Sequence, residues 1–393
     1  MTFPRFFRAL ALFGALAALS MPGCGKKDDP KDGGPSPQGD TIKIGAYLSL
    51  TGPTATFGQT TQDGILLAVK ERNAKGGVNG KKIEIKIYDN KGETKETGTV
   101  VTRLITQDKV VAVLGEVAST QSLAAAPVCQ QYGVPMISPS STNPQVTQVG
   151  PMISRVCFID PDQGYAGAKF AIDHLQAKKA AILYDQKQAY STGLAENFKE
   201  WFQKLGGEIV TEQAYSSGAT DYGAQLTNIR DKAPDVVYIP GYYTEVGTIA
   251  KQARARGVTV PLLGGDGWES PKLFEIGGDA IEGCYYTNHY APEDKRPESV
   301  AYLDAYRKEY GAESSALAAL GYDAANLLFD AMERADSLKG KDLAAAIAAT
   351  KGFKGVTGEI TMDENRNAKK PMVVIQVENG KDKYVSTINP PTE

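Results

Sequence analysis

Three short stretches combine hydroxyls, small residues and single acids in a pattern that suits a small polar molecule. Glu116-Val117-Ala118-Ser119-Thr120 follows the apolar run VVAVLG and opens a helical pattern. A helix N-terminus presents unpaired N–H groups and the positive end of a dipole, which fits a carboxylate. A hydroxyl that merely caps the helix is the plainer reading of Ser119 or Thr120. Pro139-Ser140-Ser141-Thr142-Asn143-Pro144 follows MIS, so hydroxyls again crowd the end of an apolar run, as ligand groups or as a polar turn. Gly265-Asp266-Gly267-Trp268 follows VPLLG. A carboxylate between two glycines can hold an ammonium group, although aspartate is common in turns for its own sake. Tyr190, Tyr242, Tyr243 and Trp268 occupy comparable loops, where aromatic rings close an apolar pocket or pack a core.

The signatures of several reaction classes are absent. There is no G-x-x-x-x-G-K-[ST] phosphate loop, no G-x-G-x-x-G after the first apolar run, no G-x-S-x-G elbow and no H-E-x-x-H pair. The chain has only two histidines, His174 and His289, and neither sits in a motif. No cofactor and no metal are expected, and a binding protein is favoured over an enzyme. A net charge of −3 argues against a broad nucleic-acid-binding face.

These stretches need a scaffold, and the chain of 393 residues supplies a repeating one. Strand patterns at 42–50, 82–88, 110–115 and 134–137 alternate with helical patterns at 57–75, 93–107 and 119–132. A second series places strands at 180–184, 208–213, 235–240, 260–263 and 282–287. Its helices fall at 162–176, 190–205, 221–232 and 244–256. Helices follow at 297–310, 314–334 and 342–350, then strand-like segments at 358–362 and 371–377. Repeated strand–helix units predict an α/β protein with two doubly wound, Rossmann-like lobes. Ligands in such sheets bind beyond the carboxyl ends of strands, so the cleft between lobes is the expected site.

The N-terminus reads as an address. Arg5 and Arg8 precede an uncharged apolar stretch at 9–21, the length of a secretory signal. It ends at Met21-Pro22-Gly23-Cys24, which resembles a bacterial lipobox with Cys24 as the lipidated residue. Residues 25–40 lack aliphatic and aromatic side chains and read as a flexible spacer. Cys129, Cys157 and Cys284 remain. They allow at most one disulfide within the chain, and their apolar surroundings favour buried free thiols.

At these residues the sequence resembles the leucine/isoleucine/valine-binding protein family, the substrate-binding components of ABC amino-acid importers. The shared features are Leu50-Thr51-Gly52-Pro53, Asn73-Ala74-Lys75-Gly76-Gly77-Val78-Asn79-Gly80, Tyr88-Asp89, the Gly115 to Ser119 segment, Ile137-Ser138-Pro139, Asp162-Gln163-Gly164 and Pro240-Gly241-Tyr242. The resemblance implies a type I periplasmic binding protein, a hinged trap whose lobes are joined by three crossovers. It implies a signal peptide at 1–23, an anchor and linker at 24–40, lobe 1 at 41–159 and 288–361, lobe 2 at 160–287 and 362–385, and a tail at 386–393. It also implies that Ser119 and Thr142 bind the carboxylate and amino groups of an amino acid, with backbone contacts from Ala118 and Ser141. Asp266 matches an acid that binds the ammonium, one methylene shorter than the glutamate of the best-known members. Tyr190 and Tyr242 match aromatics that engage on closure. Phe57 and Leu317 match positions lining the side-chain pocket, and Trp268 replaces a smaller residue and reshapes that pocket. The implied ligand is a zwitterionic amino acid, leucine, isoleucine or valine first, with amides, urea or other small carboxylates as the alternative and a solute sensor as the alternative role. The implied setting is the periplasm or cell envelope of a bacterium, with a lipid-anchored monomer docking on a membrane permease and no nucleic acid involved.

Overall fold

Backbone hydrogen bonds gather the strands into two principal sheets with helices between successive strands. The structure is a computed structural model and describes residues 41–291 and 293–391. The expected signal segment, Cys24 and the spacer lie outside the described residues.

The first sheet contains β1 (Thr41–Leu48), β2 (Lys82–Asp89), β3 (Val113–Leu114), β4 (Met136–Ser138) and β5 (Ile153–Arg155). Its order is β2-β1-β3-β4-β5 and every pair is parallel. The second sheet contains β6 (Lys179–Asp185), β7 (Glu208–Tyr215), β8 (Val236–Ile239), β9 (Leu262–Gly264) and β10 (Tyr285–Asn288) as a parallel set. A small antiparallel hairpin of β11 (Phe353–Gly355) and β12 (Gly358–Ile360) follows. Two further strands, β13 (Met372–Glu378) and β14 (Lys381–Ile388), then extend the second sheet, giving the order β14-β13-β10-β9-β8-β6-β7. The chain therefore passes between sheets after β5, after β10 and after β12.

The parallel α/β architecture expected from the strand–helix repeat is present in both sheets. Its edge differs. Strands β10, β13 and β14 pair antiparallel, because no helix separates β13 from β14. Asn379 and Gly380 turn the chain with left-handed φ values of 54° and 66°, the geometry that Asn-Gly favours in a tight hairpin. Both of their amides donate to the Glu282 carboxylate, at 2.9 and 2.6 Å. Strand β14 runs to Ile388, past the expected limit of that segment at 385. The short strand β5 and the helix Pro271–Gly277 also went unanticipated, being too brief to show a period.

The helix Ala316–Arg334 returns to the first sheet and packs along the helix Ala55–Ala74. A Cβ on Gly64 would fall 1.8 Å from the Ala318 carbonyl oxygen, so glycine is what lets these two backbones approach. The cores of both sheets are aliphatic and aromatic, with Ile44, Ile65, Leu114 and Leu320 in one and Ile182, Phe198, Tyr238 and Leu263 in the other, all fully buried.

Cys129, Cys157 and Cys284 are free thiols, each buried, and burial pushes the thiols of Cys129 and Cys157 up to about 12. With Cys24 replaced by serine, a thiol-reactive disulfide reagent should label none of the three within minutes in the folded protein. All three should react after unfolding in denaturant, and a single reactive thiol would reveal a disulfide.

Candidate functional site

The expected site residues, Leu317 excepted, follow the carboxyl ends of strands. Ser119 lies beyond β3 and Thr142 beyond β4, while Tyr190 lies beyond β6, Tyr242 beyond β8 and Asp266 beyond β9. The loops of the two sheets meet there. The Phe57 ring meets Tyr242 and Tyr243 edge-on, with centroids 5.5 and 5.0 Å apart. Asn143 Nδ2 donates to the Ala189 carbonyl at 2.8 Å, and Tyr243 Oη donates to the Pro53 carbonyl at 2.8 Å. Glu269 accepts from the amides of Ala316 and Leu317, at 2.7 and 3.3 Å, at the start of the opposing helix. Burial pushes the Glu269 carboxyl up to about 7. The lobes are thus closed on each other. A cavity of about 290 Å³ opens alongside, lined in part by Thr56, Glu269, Asn288 and Ser315. Ser119, Thr142 and Asp266 do not line it.

On the first sheet's side, the helix Ser119–Tyr132 begins at Ala118 without a side-chain cap. The expected Ser or Thr cap does not form. Ser119 Oγ instead accepts from the Asn143 amide at 3.2 Å, tying the two hydroxyl-bearing loops together. Thr142 Oγ1 is buried and has no protein partner, so its hydroxyl is unspent. Ala118 and Ser141 also make contacts within their own lobe. The Ala118 amide donates to Glu116 Oε2 at 2.6 Å, and the Ser141 amide donates to Ser138 Oγ at 2.9 Å. The Ser141 carbonyl accepts from Arg155 Nη1, and its hydroxyl lies 2.8 Å from Ser122 Oγ. Ser141 therefore fixes the loop from within the lobe.

Two buried charges that sequence reading missed shape this wall. Glu116 Oε1 accepts from the amide and hydroxyl of Ser49, at 2.8 and 2.6 Å, so one carboxylate joins the ends of β1 and β3. Arg155, fully buried, donates through Nη2 to the Asn143 carbonyl at 2.8 Å as well as to Ser141. The guanidinium holds the Ser141–Asn143 backbone in place through its two terminal nitrogens, while its Nε has no protein partner. An arginine inside the apolar stretch SRVCF was the available signal.

On the second sheet's side, Asp266 is buried and already has two partners. Gln163 Nε2 donates to Oδ1 at 2.9 Å, and His289 Nε2 lies 2.9 Å from Oδ2. Tyr190 and Tyr242 stack with centroids 5.3 Å apart and planes 7° apart, and Tyr190 Oη accepts from the Gly267 amide at 3.2 Å. A Cβ on Gly265 would lie 2.4 Å from Tyr190 Oη, so this glycine is required by the close approach of the ring. Tyr242 Oη is buried without a partner. Trp268 faces the core of its own lobe: its indole packs on Gly264 and its Nε1 donates to the Ile239 carbonyl at 2.9 Å. It braces the Asp266 turn from beneath. Phe57 and Leu317 are buried on the first lobe's side, at 2% exposure each.

Asp160 was not among the expected residues. It opens the helix Asp160–Asp173, and its amide donates to the Thr142 carbonyl at 3.0 Å. Its carboxyl is fully buried and neither oxygen has a protein partner. Desolvation, with repulsion from Asp266 against relief from Thr142 and Arg155, pushes it up to about 8. The cleft thus combines one partnered and one unpartnered acid with two free hydroxyls and a stacked aromatic pair. That set complements a small molecule carrying both an ammonium and a carboxylate. Among the described residues no group of three or more His, Cys, Asp or Glu could hold a metal.

Two parallel-sheet lobes closed over a polar cleft, with three passages between them, define a hinged solute-binding protein. A sequence model of the periplasmic binding protein family matches residues 41–382, and the chain belongs to that family. It is 31% identical over 343 residues to Leu/Ile/Val-binding protein homolog 1 of Brucella abortus (87% of this chain, 91% of the relative). Similar solved structures include a leucine-binding protein, LivK, of Thermotoga maritima, with 42% identity, a TM-score of 0.86 and coverage of 89% of this chain and 99% of that one. Another is the branched-chain amino acid substrate-binding protein LivJ of Streptococcus pneumoniae in complex with isoleucine. It shows 36% identity and a TM-score of 0.84, with 89% of this chain and 100% of that one covered. These relatives are binding proteins of transporters.

Asp160 provides a test that needs no ligand. A carboxyl raised to about 8 in the folded protein keeps a proton that the unfolded chain releases near an ordinary value of ~3.9. On this group's account stability falls as pH rises from about 4 to about 8. Asp160→Asn buries no charge, and at pH 8 it should stabilise the ligand-free protein by roughly 1–3 kcal/mol, a few degrees of melting temperature. A melting temperature unchanged or lowered at pH 8 would show that Asp160 is not an uncompensated acid.

Proposed function

We propose that this protein is the substrate-binding component of an ABC importer and captures a zwitterionic branched-chain amino acid by closing its lobes. The observation that carries this reading is the buried pair of acids, Asp160 and Asp266, brought against the free hydroxyl of Thr142. The isoleucine complex of the similar Streptococcus pneumoniae protein supports the ligand class. Ser119, Thr142 and the start of the helix Ser119–Tyr132 receive the carboxylate. The ammonium neutralises Asp160 and is shared with Asp266. Tyr190 and Tyr242 cover it, and Phe57 and Leu317 face the aliphatic side chain. In this reading lobe 1 spans 41–159 and 288–361, and lobe 2 spans 160–287 and the segment from 362 through β14.

Ligand favours the closed form only by its differential affinity for that form. The contacts of Tyr190, Tyr242 and Asp266 from the second lobe supply this difference. Excluding water strengthens the ammonium–carboxylate pairing. The closed form then docks on a membrane permease whose ATPase partner supplies the energy. Cys24 carries the lipid anchor and holds the protein, as a monomer, at the periplasmic face of a bacterial membrane.

Thermal unfolding of protein stripped of bound ligand tests the reading. Leucine, isoleucine or valine at ~100 times the dissociation constant should add about 2.7 kcal/mol of stability. Stabilisation by amides or other acids with silence from amino acids would keep the trap and discard the amino acid. Silence from the whole panel would reject the reading.

Asp266→Asn should weaken leucine binding in calorimetry by roughly 1.5–3 kcal/mol, the scale of a charge-assisted hydrogen bond. Unchanged affinity would take Asp266 out of the site.

A further inference from the structure

The ring of His289 is wholly buried at the second passage between the lobes, directly after β10. It stacks on Phe158 of the first passage, with centroids 3.9 Å apart and planes 21° apart. Lys370 of the third passage donates to the Val156 carbonyl at 3.1 Å, so all three passages pack together. From this position Nε2 lies 2.9 Å from Asp266 Oδ2, while Nδ1 is buried with no partner.

The two nitrogens settle the charge of the ring. An imidazolium bears a proton on both. A proton on Nδ1 would be an orphaned buried donor, which is costly. Burial lowers the imidazole's proton affinity, Asp266 raises it, and the nearby Lys370 ammonium lowers it again. The neutral tautomer with its proton on Nε2 fits every contact: Nε2–H donates to Asp266, and an unpaired lone pair at Nδ1 is a smaller penalty than an unpaired N–H.

We propose that His289 is a positioning residue for the amino acid: as a neutral imidazole it orients the Asp266 carboxylate and leaves that negative charge for the ligand's ammonium. This rests on the reading of Asp266 as an ammonium partner. A lysine or arginine in the same place would orient Asp266 equally well but would neutralise it, and a zwitterion would meet a finished ion pair. Histidine separates the two effects, supplying a hydrogen bond without a charge. Because the ring also belongs to the packing of the three passages, Asp266 is oriented partly from the hinge.

The test uses the full chain labelled with ¹⁵N-histidine. Long-range ¹H–¹⁵N spectra, assigned with His289→Gln, should show His289 protonated at Nε2 and bare at Nδ1. That state should hold from about pH 7 down past the ordinary imidazole value of ~6.5, with Asp266 and Lys370 the ionisable groups facing the ring. In calorimetry with leucine, His289→Leu should lose roughly 5–30-fold in affinity. His289→Gln, whose side-chain amide keeps a donor near Nε2, should recover most of that loss. An imidazolium or an Nδ1–H tautomer across this range would overturn the charge assignment. Equal leucine affinity for wild type and His289→Leu would overturn the positioning role, as would a folded His289→Gln no better than His289→Leu. Wild-type protein that binds no amino acid would instead remove the functional reading, and the spectra would still decide the state of His289.

Discussion

A carboxyl group enclosed away from water must be neutralised, hydrogen-bonded or protonated, and this constraint shapes the cleft more than any other. Neither Asp160 carboxyl oxygen has a hydrogen-bond partner at full contact distance, and desolvation outweighs the nearby Thr142 hydroxyl and Arg155, so its proton affinity rises. Asp266, across the cleft from the hydroxyl loops, is held by Gln163 and His289 instead. Gln163 lies one helical turn beyond Asp160, so the two acids are organised by one short helix start. An ammonium group placed between them is the natural neutraliser. On the proposed reading, closure and a cationic ligand group therefore favour each other energetically.

The acids can remain partly uncompensated only because the walls around them are stiff. Glu116 and Arg155 are also buried ionisable groups, but each has several hydrogen-bond partners. Glu116 collects the amides of Ser49 and Ala118, and Arg155 collects the carbonyls of Ser141 and Asn143. They pin the two hydroxyl loops to the ends of β1, β3 and β4. On the other lobe Trp268 and the Tyr190–Tyr242 stack do the same with apolar surface and two hydrogen bonds. Buried polar groups thus fall into two kinds here. Hydrogen-bonded ones build the scaffold, and among those without a protein partner Thr142 Oγ1, Tyr242 Oη and the Asp160 carboxyl lie at the cleft.

Closure is also supported away from the cleft's polar centre. Glu269 follows directly on the turn that carries Asp266, and its carboxyl covers the first two amides of the helix Ala316–Arg334. Ser315 covers the third amide from within the same lobe, at 3.1 Å. One rigid turn therefore presents an acid to the cleft at one end and grips the opposing lobe at the other. Thr56 and Ser270 meet beside it at 2.9 Å, extending the same contact.

Much of the architecture was legible along the chain. Period-two and period-3.6 patterns mark strands and helices through local burial, and their alternation leaves a parallel sheet as the economical solution. Hydroxyls, glycines and Asp266 at strand ends were visible for the same reason, since each follows an apolar run at once. The Asn379-Gly380 hairpin is written equally plainly after the strand-like segment at 371–377, although no strand was expected beyond it. Residue types could not show which polar atoms would be spent. Ser119 reads as a cap and is a strut between loops, Ala118 and Ser141 carry bracing contacts that their types do not announce, and His289 stands outside any motif and touches Asp266. Asp160, Arg155 and His289 take their roles from partners far away along the chain. Such roles depend on distances of about 3 Å between groups that only folding brings together. Local pattern decides what a segment becomes, while the pairing of buried charges is settled by the tertiary fold, where water is excluded and every unmatched group has a cost.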